Sequence, residues 1–440
     1  MRATPITGFQ MTRTAHPPIK DAIRTWARIA ALSFGGPAGQ IAVMHRILVE
    51  ERRWIDEDRF LHALNFCMLL PGPEAQQLAT YIGWLMHGVR GALIAGVLFI
   101  LPGVVAIMAL SVVYVTLGDV GVVAGIFFGL KAAVLAIVVQ AVIRLAGRAL
   151  KGPALRIIAG AAFVALFALD APFPLVIALA ALTGALMSGS PTPEGTGTAL
   201  PVQDVRAARR AAIWALVLWL VPVLALVLLA PGSVFADIAT FFSRLAVLSF
   251  GGAYAVLAWV GQEAVGHYGW LQPRQMLDGL GMAETTPGPL IMVLQFVGFM
   301  AAYGADHAHP LLAAVLGGLL ATWVTFAPCF AFIFIGAPFM EGLRRSARLS
   351  AALRAVTAAV VGVILNLAVW FAIHLIWQQT VAWDAGPIHL RLPVMASLDP
   401  VAALLCVATL VAALWLRPGM AILLGGAALA GIALQMAGLT

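Results

Sequence analysis

The sequence predicts an all-α polytopic membrane protein: two inverted-topology repeats whose helices are broken by Gly and Pro. Three observations carry that prediction. Of 440 residues, 62% are hydrophobic and only 10% are charged, against about 25% charged in an ordinary soluble domain. So much apolar surface has no place in water. Apolar runs near the ~20 residues needed to cross a bilayer recur along the chain. The chain also repeats itself at a fixed offset, the signature of duplicated architecture.

The elements follow in order. Residues 20–50 form a segment broken at Gly35-Gly36-Pro37, and residues 57–87 form a second, broken at Pro71-Gly72-Pro73. Apolar crossings are expected at 91–117, 120–143, 155–169 and 172–188. Residues 190–204 (SPTPEGTGTALPVQD) are rich in Pro, Gly and Thr and read as a flexible linker. One further crossing, 211–230, precedes a restart of the series. At an offset of 216, Leu32-Ser33-Phe34-Gly35-Gly36 meets Leu248-Ser249-Phe250-Gly251-Gly252, Trp54 meets Trp270, and Pro71-Gly72-Pro73 meets Pro287-Gly288-Pro289. After an insertion of ten residues, Gly91…Pro102 meets Gly317…Pro328, and Lys131 then falls opposite Arg354. The chain thus divides into a first repeat (1–188), a cytoplasmic linker (189–210), and a linking helix with the second repeat (211–440). The count is about nine full crossings plus four broken or re-entrant segments, or 13 if all span.

One odd crossing between the copies inverts the second. Charge agrees with this, because Lys and Arg favour cytoplasmic loops. Arg144, Arg148, Lys151, Arg156 and Arg206, Arg209, Arg210 mark cytoplasmic connections in the first half. In the second half the basic loop shifts to Arg344, Arg345 and Arg348. Inverted repeats are a common plan of secondary transporters. The basic, h-region-free start predicts a cytoplasmic N-terminus, with the C-terminus outside. Arg46, Arg52, Arg53 and Arg59 favour a cytoplasmic connection, and so re-entrant hairpins for 20–50 and 57–87, while two full crossings would put that connection outside; both give the same orientation downstream, because either count is even.

Composition excludes other classes. The net charge of +7 is spread over short loops, which argues against nucleic-acid binding. Cys67, Cys329 and Cys406 lie in apolar runs without CxxC spacing, and the nine histidines show no ligand spacing, so neither a metal nor another cofactor is expected. GxxxxGK[ST], HExxH and GxSxG are absent, which argues against an ATPase or a hydrolase. Lipid is the expected surroundings, and a homodimer is the assembly to look for.

The Gly/Pro breaks carry the functional expectation. Pro71 ends a helix, Gly72 permits an unusual turn, and Pro73 suits the first position of the next helix. A half-helix starting there would aim free N–H groups and the positive end of its dipole into the protein, a ready site for an anion. Pro287, Gly288 and Pro289 repeat the device, as do Gly35 and Gly36 with Gly251 and Gly252. Gln76 and Gln77 are candidate amide donors one turn in. Lys131 at mid-membrane, and the matched Arg28 and Arg244, are candidate counter-charges, since a charge at the bilayer centre costs roughly 2.5–3.5 kcal/mol and usually has a task. Glu74 and Glu284, flanking the two PGP breaks, are candidates for ion coupling. Each has a plainer reading: Gly and Pro kink packed helices, and Arg side chains snorkel to the interface. Asn65, Asn366 and Gln295 read as interhelical hydrogen bonds, and Gly121, Gly125 and Gly129 as a close-packing face.

The stretch Phe34-Gly35-Gly36-Pro37-Ala38-Gly39-Gln40, then Leu70 to Ala79 (LPGPEAQQLA) and Tyr81-Ile82-Gly83-Trp84, resembles the chromate ion transporter family. Phe250 to Val256 and Thr286-Pro287-Gly288-Pro289 carry the likeness into the second half, with Ala253 where another Gly is expected. The resemblance covers nearly the whole chain and is to the long form with two homologous, antiparallel halves. It implies a secondary transporter that exports chromate across the bacterial inner membrane, with sulfate as a related or exchanged anion. A carrier of another oxyanion or an organic anion is the alternative. A membrane enzyme lacks a nucleophile or metal cluster, and a cation carrier would have to rely on Glu74 and Glu284.

Overall fold

The structure is a computed structural model, and it describes residues 17–34, 36–118, 120–187, 205–250, 252–336 and 347–439. Gly35, Gly251, Arg344, Arg345 and the linker expected at 190–204 lie outside the described residues. These residues form sixteen helices and one two-stranded hairpin, an all-α polytopic membrane protein with a single β excursion.

The first repeat holds α1 (Ile19–Leu32), α2 (Gly36–His45), α3 (Glu57–Cys67), α4 (Glu74–Leu117), α5 (Gly121–Ala149), α6 (Pro153–Ala168) and α7 (Phe173–Leu186). The linking helix is α8 (Val205–Leu229). The second holds α9 (Val234–Leu248), α10 (Ala253–Gly261), α11 (Pro273–Thr285), α12 (Val293–Tyr303), α13 (Pro310–Gly336), α14 (Ala347–Ile376), α15 (Pro400–Val411) and α16 (Met420–Met436). Among the described residues, five helices, α4, α5, α8, α13 and α14, are long and apolar enough to cross a membrane. The shorter apolar helices α6, α7, α15 and α16 form two hairpins.

The duplication extends to backbone detail. Both α2 and α10 run on into a π turn, Arg46–Glu51 and Gln262–His267, at the same offset of 216 as the sequence match. In each, the N–H of the matched Trp folds back on that turn: Trp54 donates to Leu48 O and Trp270 to Ala264 O, both at 2.8 Å. The copies differ where the ten-residue insertion falls. In the first, α4 turns sharply at His87 and Gly88 (φ +61°), so its two arms lie side by side with Gly83 against Gly91. In the second, α12 and α13 are separate helices, with Gly298 against Gly317 in the same role.

The repeats are interlocked, and each short hairpin packs on the other copy. The α6–α7 hairpin lies on α14, where Gly362 meets the Ala159 backbone, and α15–α16 lies on α5, where Gly129 meets Ala427. Small residues allow these backbones to approach, and van der Waals contact replaces the hydrophobic drive that lipid cannot supply. Gln295 is an interhelical hydrogen-bonder, donating to Val104 O at 2.9 Å and accepting from Thr322 at 3.1 Å. By contrast, α8 presents Trp214, Leu218, Val221, Leu224 and Leu228 outward, an apolar face suited to acyl chains. The hairpin Thr380–Ala385 with Ile388–Pro393, turning at Gly386 (φ +61°), stands in the α14–α15 connection.

Candidate functional site

The four breaks converge. At their turns Gly36, Gly72, Gly252 and Gly288 have φ of +72°, +117°, +97° and +107°, values that L side chains rarely adopt. The breaks exchange hydrogen bonds between repeats: Gly72 N–H donates to Ser249 O at 3.0 Å, and Gly288 N–H donates to Ser33 O at 2.9 Å. Residues 33 and 249, and 72 and 288, are repeat mates, so the junction has the reciprocity of a two-fold interface.

Beyond each turn a helix begins, and all four beginnings line one small pocket. Its walls are Pro37 and Gln40 of α2, Pro73, Glu74 and Ala75 at the start of α4, Gly252 and Ala253 at the start of α10, and Pro289 to Ile291 in the turn leading into α12. The starts of α4, α10 and the turn before α12 carry no side-chain cap. Their first N–H groups therefore remain for a ligand. Each helix N-terminus carries roughly +0.5 of an elementary charge, so four together offer about +2. That matches a dianion in charge, and an ionised Glu74 would halve it. The pocket's free volume is about 10 Å³, room for one water and too small for a polyatomic anion unless the helix ends separate.

Polar side chains brace this junction. Gln40 Nε2 donates to Gly288 O at 2.5 Å, tying α2 to the PGP turn of the other repeat, and its Oε1 is buried without a partner. Gln77 Nε2 donates to Pro71 O at 2.6 Å and closes its own turn, while Gln76 Nε2 donates to Thr80 at 3.0 Å. Both glutamines are fully buried, with their amide donors already engaged, and neither lines the pocket. Glu74 lies beside Gly252 of the other repeat. Glu284, 3% exposed, accepts from Tyr254 at 2.8 Å, and the Tyr254 hydroxyl lies against Gly36. Each of the two carboxylates thus reaches the first break of the opposite repeat, Glu284 through Tyr254.

The expected counter-charges sit elsewhere. Arg28 is on the outward face of α1, half exposed, and ion-paired with Glu51 at 2.9 Å. Arg244 is exposed on α9. The helical phase of α1 and α9 turns these arginines away while Trp26, Ile29, Phe242 and Leu245 face inward. Lys131 is partly buried, its side chain 14% exposed, but its Nζ lies 3.2 Å from Asp278 Oδ1, and it does not line the pocket. Sequence reasoning missed Gln40, Tyr254, Asp278 and Tyr114. Gln40 stands one turn after Gly36 on the same helix face. Asp278 is a carboxylate in an apolar run, the signal that singled out Lys131.

Comparison with known proteins agrees with this architecture. The chromate transporter family profile matches residues 20–185 and 236–432, one block for each repeat. A chromate transport protein of Pseudomonas aeruginosa is 34% identical over 80% of this chain and 82% of its own. A probable chromate transport protein of Synechococcus elongatus is 28% identical over 79% of this chain and 84% of its own. A chromate transport protein of Cupriavidus metallidurans is 28% identical over 79% and 80%. No solved structure matches. With the profile covering both halves and a relative of this similarity along most of its length, the chain belongs to the chromate transporter family.

Proposed function

We propose that the chain is a secondary transporter that carries chromate out of the cytoplasm across the bacterial inner membrane. The observation that supports it best is the convergence of four half-helix N-termini on one pocket. Such a site favours a compact dianion and disfavours a cation. Relatives named as chromate transport proteins supply the substrate, and the inverted repeats supply a route to alternating access. The N-terminus then lies in the cytoplasm and the C-terminus outside. No cofactor is needed for the energetics. One charge crossing 100 mV is worth about 2.3 kcal/mol, so a dianion leaving a negative-inside cell gains about 4.6 kcal/mol. That sustains a concentration ratio of order 10³.

The pocket's donors are backbone N–H groups, which read charge and shape and not the central atom. Sulfate is therefore a competing or exchanged anion in the same reading. Glu74, in the first turn of α4, competes with the anion for the same positive ends and couples binding to a proton. Glu284, in the last turn of α11, is the second coupling candidate, and it reaches the first repeat's break through Tyr254. The test is uptake of labelled chromate into everted membrane vesicles energised by respiration, with and without sulfate. Uptake above vesicles lacking the protein, collapsed by an uncoupler, is the expected result. Vesicles rich in the protein that take up no chromate would overturn the reading.

A further inference from the structure

Away from the pocket, three polar side chains from three helices meet in an otherwise apolar interface. Asp278 of α11 is 5% exposed. Its Oδ1 lies 3.2 Å from Lys131 Nζ of α5, and its Oδ2 accepts from the Tyr114 hydroxyl of α4 at 3.0 Å. Tyr114 is itself wedged edge-on between Phe127 and Phe296. Two helices of the first repeat thus grip one helix of the second. Resting on the transport reading above, we propose that Asp278, Lys131 and Tyr114 are positioning residues: they tether α11, and with it the second repeat's share of the pocket, while the anion is held by the helix ends alone.

Three arguments support the assignment. The first is what α11 delivers. Asp278 is six residues before Glu284, about 9 Å along the helix at 1.5 Å per residue. Glu284 leads directly into Thr286 and the Pro287-Gly288-Pro289 turn, whose far side walls the pocket. An error in the seating of α11 is carried to that wall by a rigid helix. The second is chemical. The Lys131 ammonium is already spent on a carboxylate, so as a counter-charge for an anion it would first have to leave Asp278 buried and unpaired. The third is energetic. Apolar packing already holds α11 on α5, where Gly281 faces Leu130 at 3.2 Å from the position of a Cβ. A buried ion pair adds little net stability over apolar side chains. What it adds is direction, because a carboxylate bridging two donors from different helices fixes the rotation and height of α11.

The two roles for Lys131 predict opposite outcomes in a double-mutant cycle. The variants are Lys131→Met, Asp278→Asn, the pair together, and Tyr114→Phe. The readouts are chromate uptake in everted vesicles, with KM and maximal rate separated, and the amount of protein in the membrane. A tether predicts that each single charge change raises KM for chromate by about tenfold or more, because one buried charge is left alone. The neutral pair recovers most of that loss, and Tyr114→Phe shows a smaller rise of two- to threefold at unchanged protein level. If the neutral pair is as inactive as Lys131→Met while present at wild-type level, Lys131 touches the anion and the proposal is wrong. It is equally wrong if all the single variants keep the wild-type KM. Should a single charge variant fail to reach the membrane, the swap Lys131→Asp with Asp278→Lys decides: uptake with near-wild-type KM supports the tether, and a folded but inactive swap rejects it. Wild-type vesicles that take up no chromate would instead sink the transport reading, so the two failures are separable.

Discussion

Replacing Gly288 by Ala tests the junction most directly. Its φ of +107° lies in a region that costs an L residue on the order of 1–3 kcal/mol. A Cβ there would stand 3.1 Å from Gly103 Cα and 3.2 Å from Gly103 N, both backbone atoms of α4 that cannot rotate away. Overpacking of that kind adds roughly 1–3 kcal/mol. Together these put the local cost at about 2–6 kcal/mol, and part of it is met by moving the PGP turn off α4. Gly36→Ala is the internal control. It also has positive φ, +72°, but the nearest atom to its Cβ is the Tyr254 hydroxyl at 3.8 Å. Only the left-handed backbone penalty of roughly 1–2 kcal/mol applies there. The assay is thermal stability of the detergent-solubilised protein together with chromate uptake in everted vesicles. Gly288→Ala is expected to lose most uptake and a large part of its stability, with Gly36→Ala between it and wild type. The reasoning fails if Gly36→Ala is the more damaging of the two, or if Gly288→Ala behaves as wild type.

Other expectations follow from the same contacts. Glu74→Gln removes the charge that competes for the helix ends, so it should bind chromate more tightly and flatten the pH profile of uptake. In the wild type, affinity should rise as pH falls, because protonation of Glu74 clears the positive site; a wild-type profile in the variant would deny the carboxylate a coupling role. Arg28→Ala breaks only an exposed ion pair, worth 0–1 kcal/mol in general, and should transport as wild type; loss of uptake at normal expression would return Arg28 to the anion path. Tyr254→Phe removes the hydrogen bond to Oε1 of buried Glu284, a change that typically costs about 1–3 kcal/mol; measured stability equal to wild type would mean that the bond contributes nothing.

The membrane class, the duplication, the four breaks and the family were all legible in the sequence. Each is written locally: hydropathy in runs of about twenty residues, and motifs at a constant offset of 216. Two further features of the structure were also written locally. Arg24 and Arg28 share the face of α1 opposite Ala22, Trp26 and Ile29, a phase that points them away from the interior. The run Thr380–Ala385 alternates Val381 and Trp383 with smaller residues before Gly386-Pro387, a hairpin signal amid stronger helical ones. Only the tertiary structure decided which groups meet. Ser33 with Gly288, Ser249 with Gly72, Gln40 with Gly288 and Lys131 with Asp278 are all more than a hundred residues apart in the chain. Periodicity shows which face of a helix turns inward, but not what lies across from it. That depends on how the two interlocked repeats seat against each other, and on whether a buried charge finds its partner in the protein before it can serve a ligand.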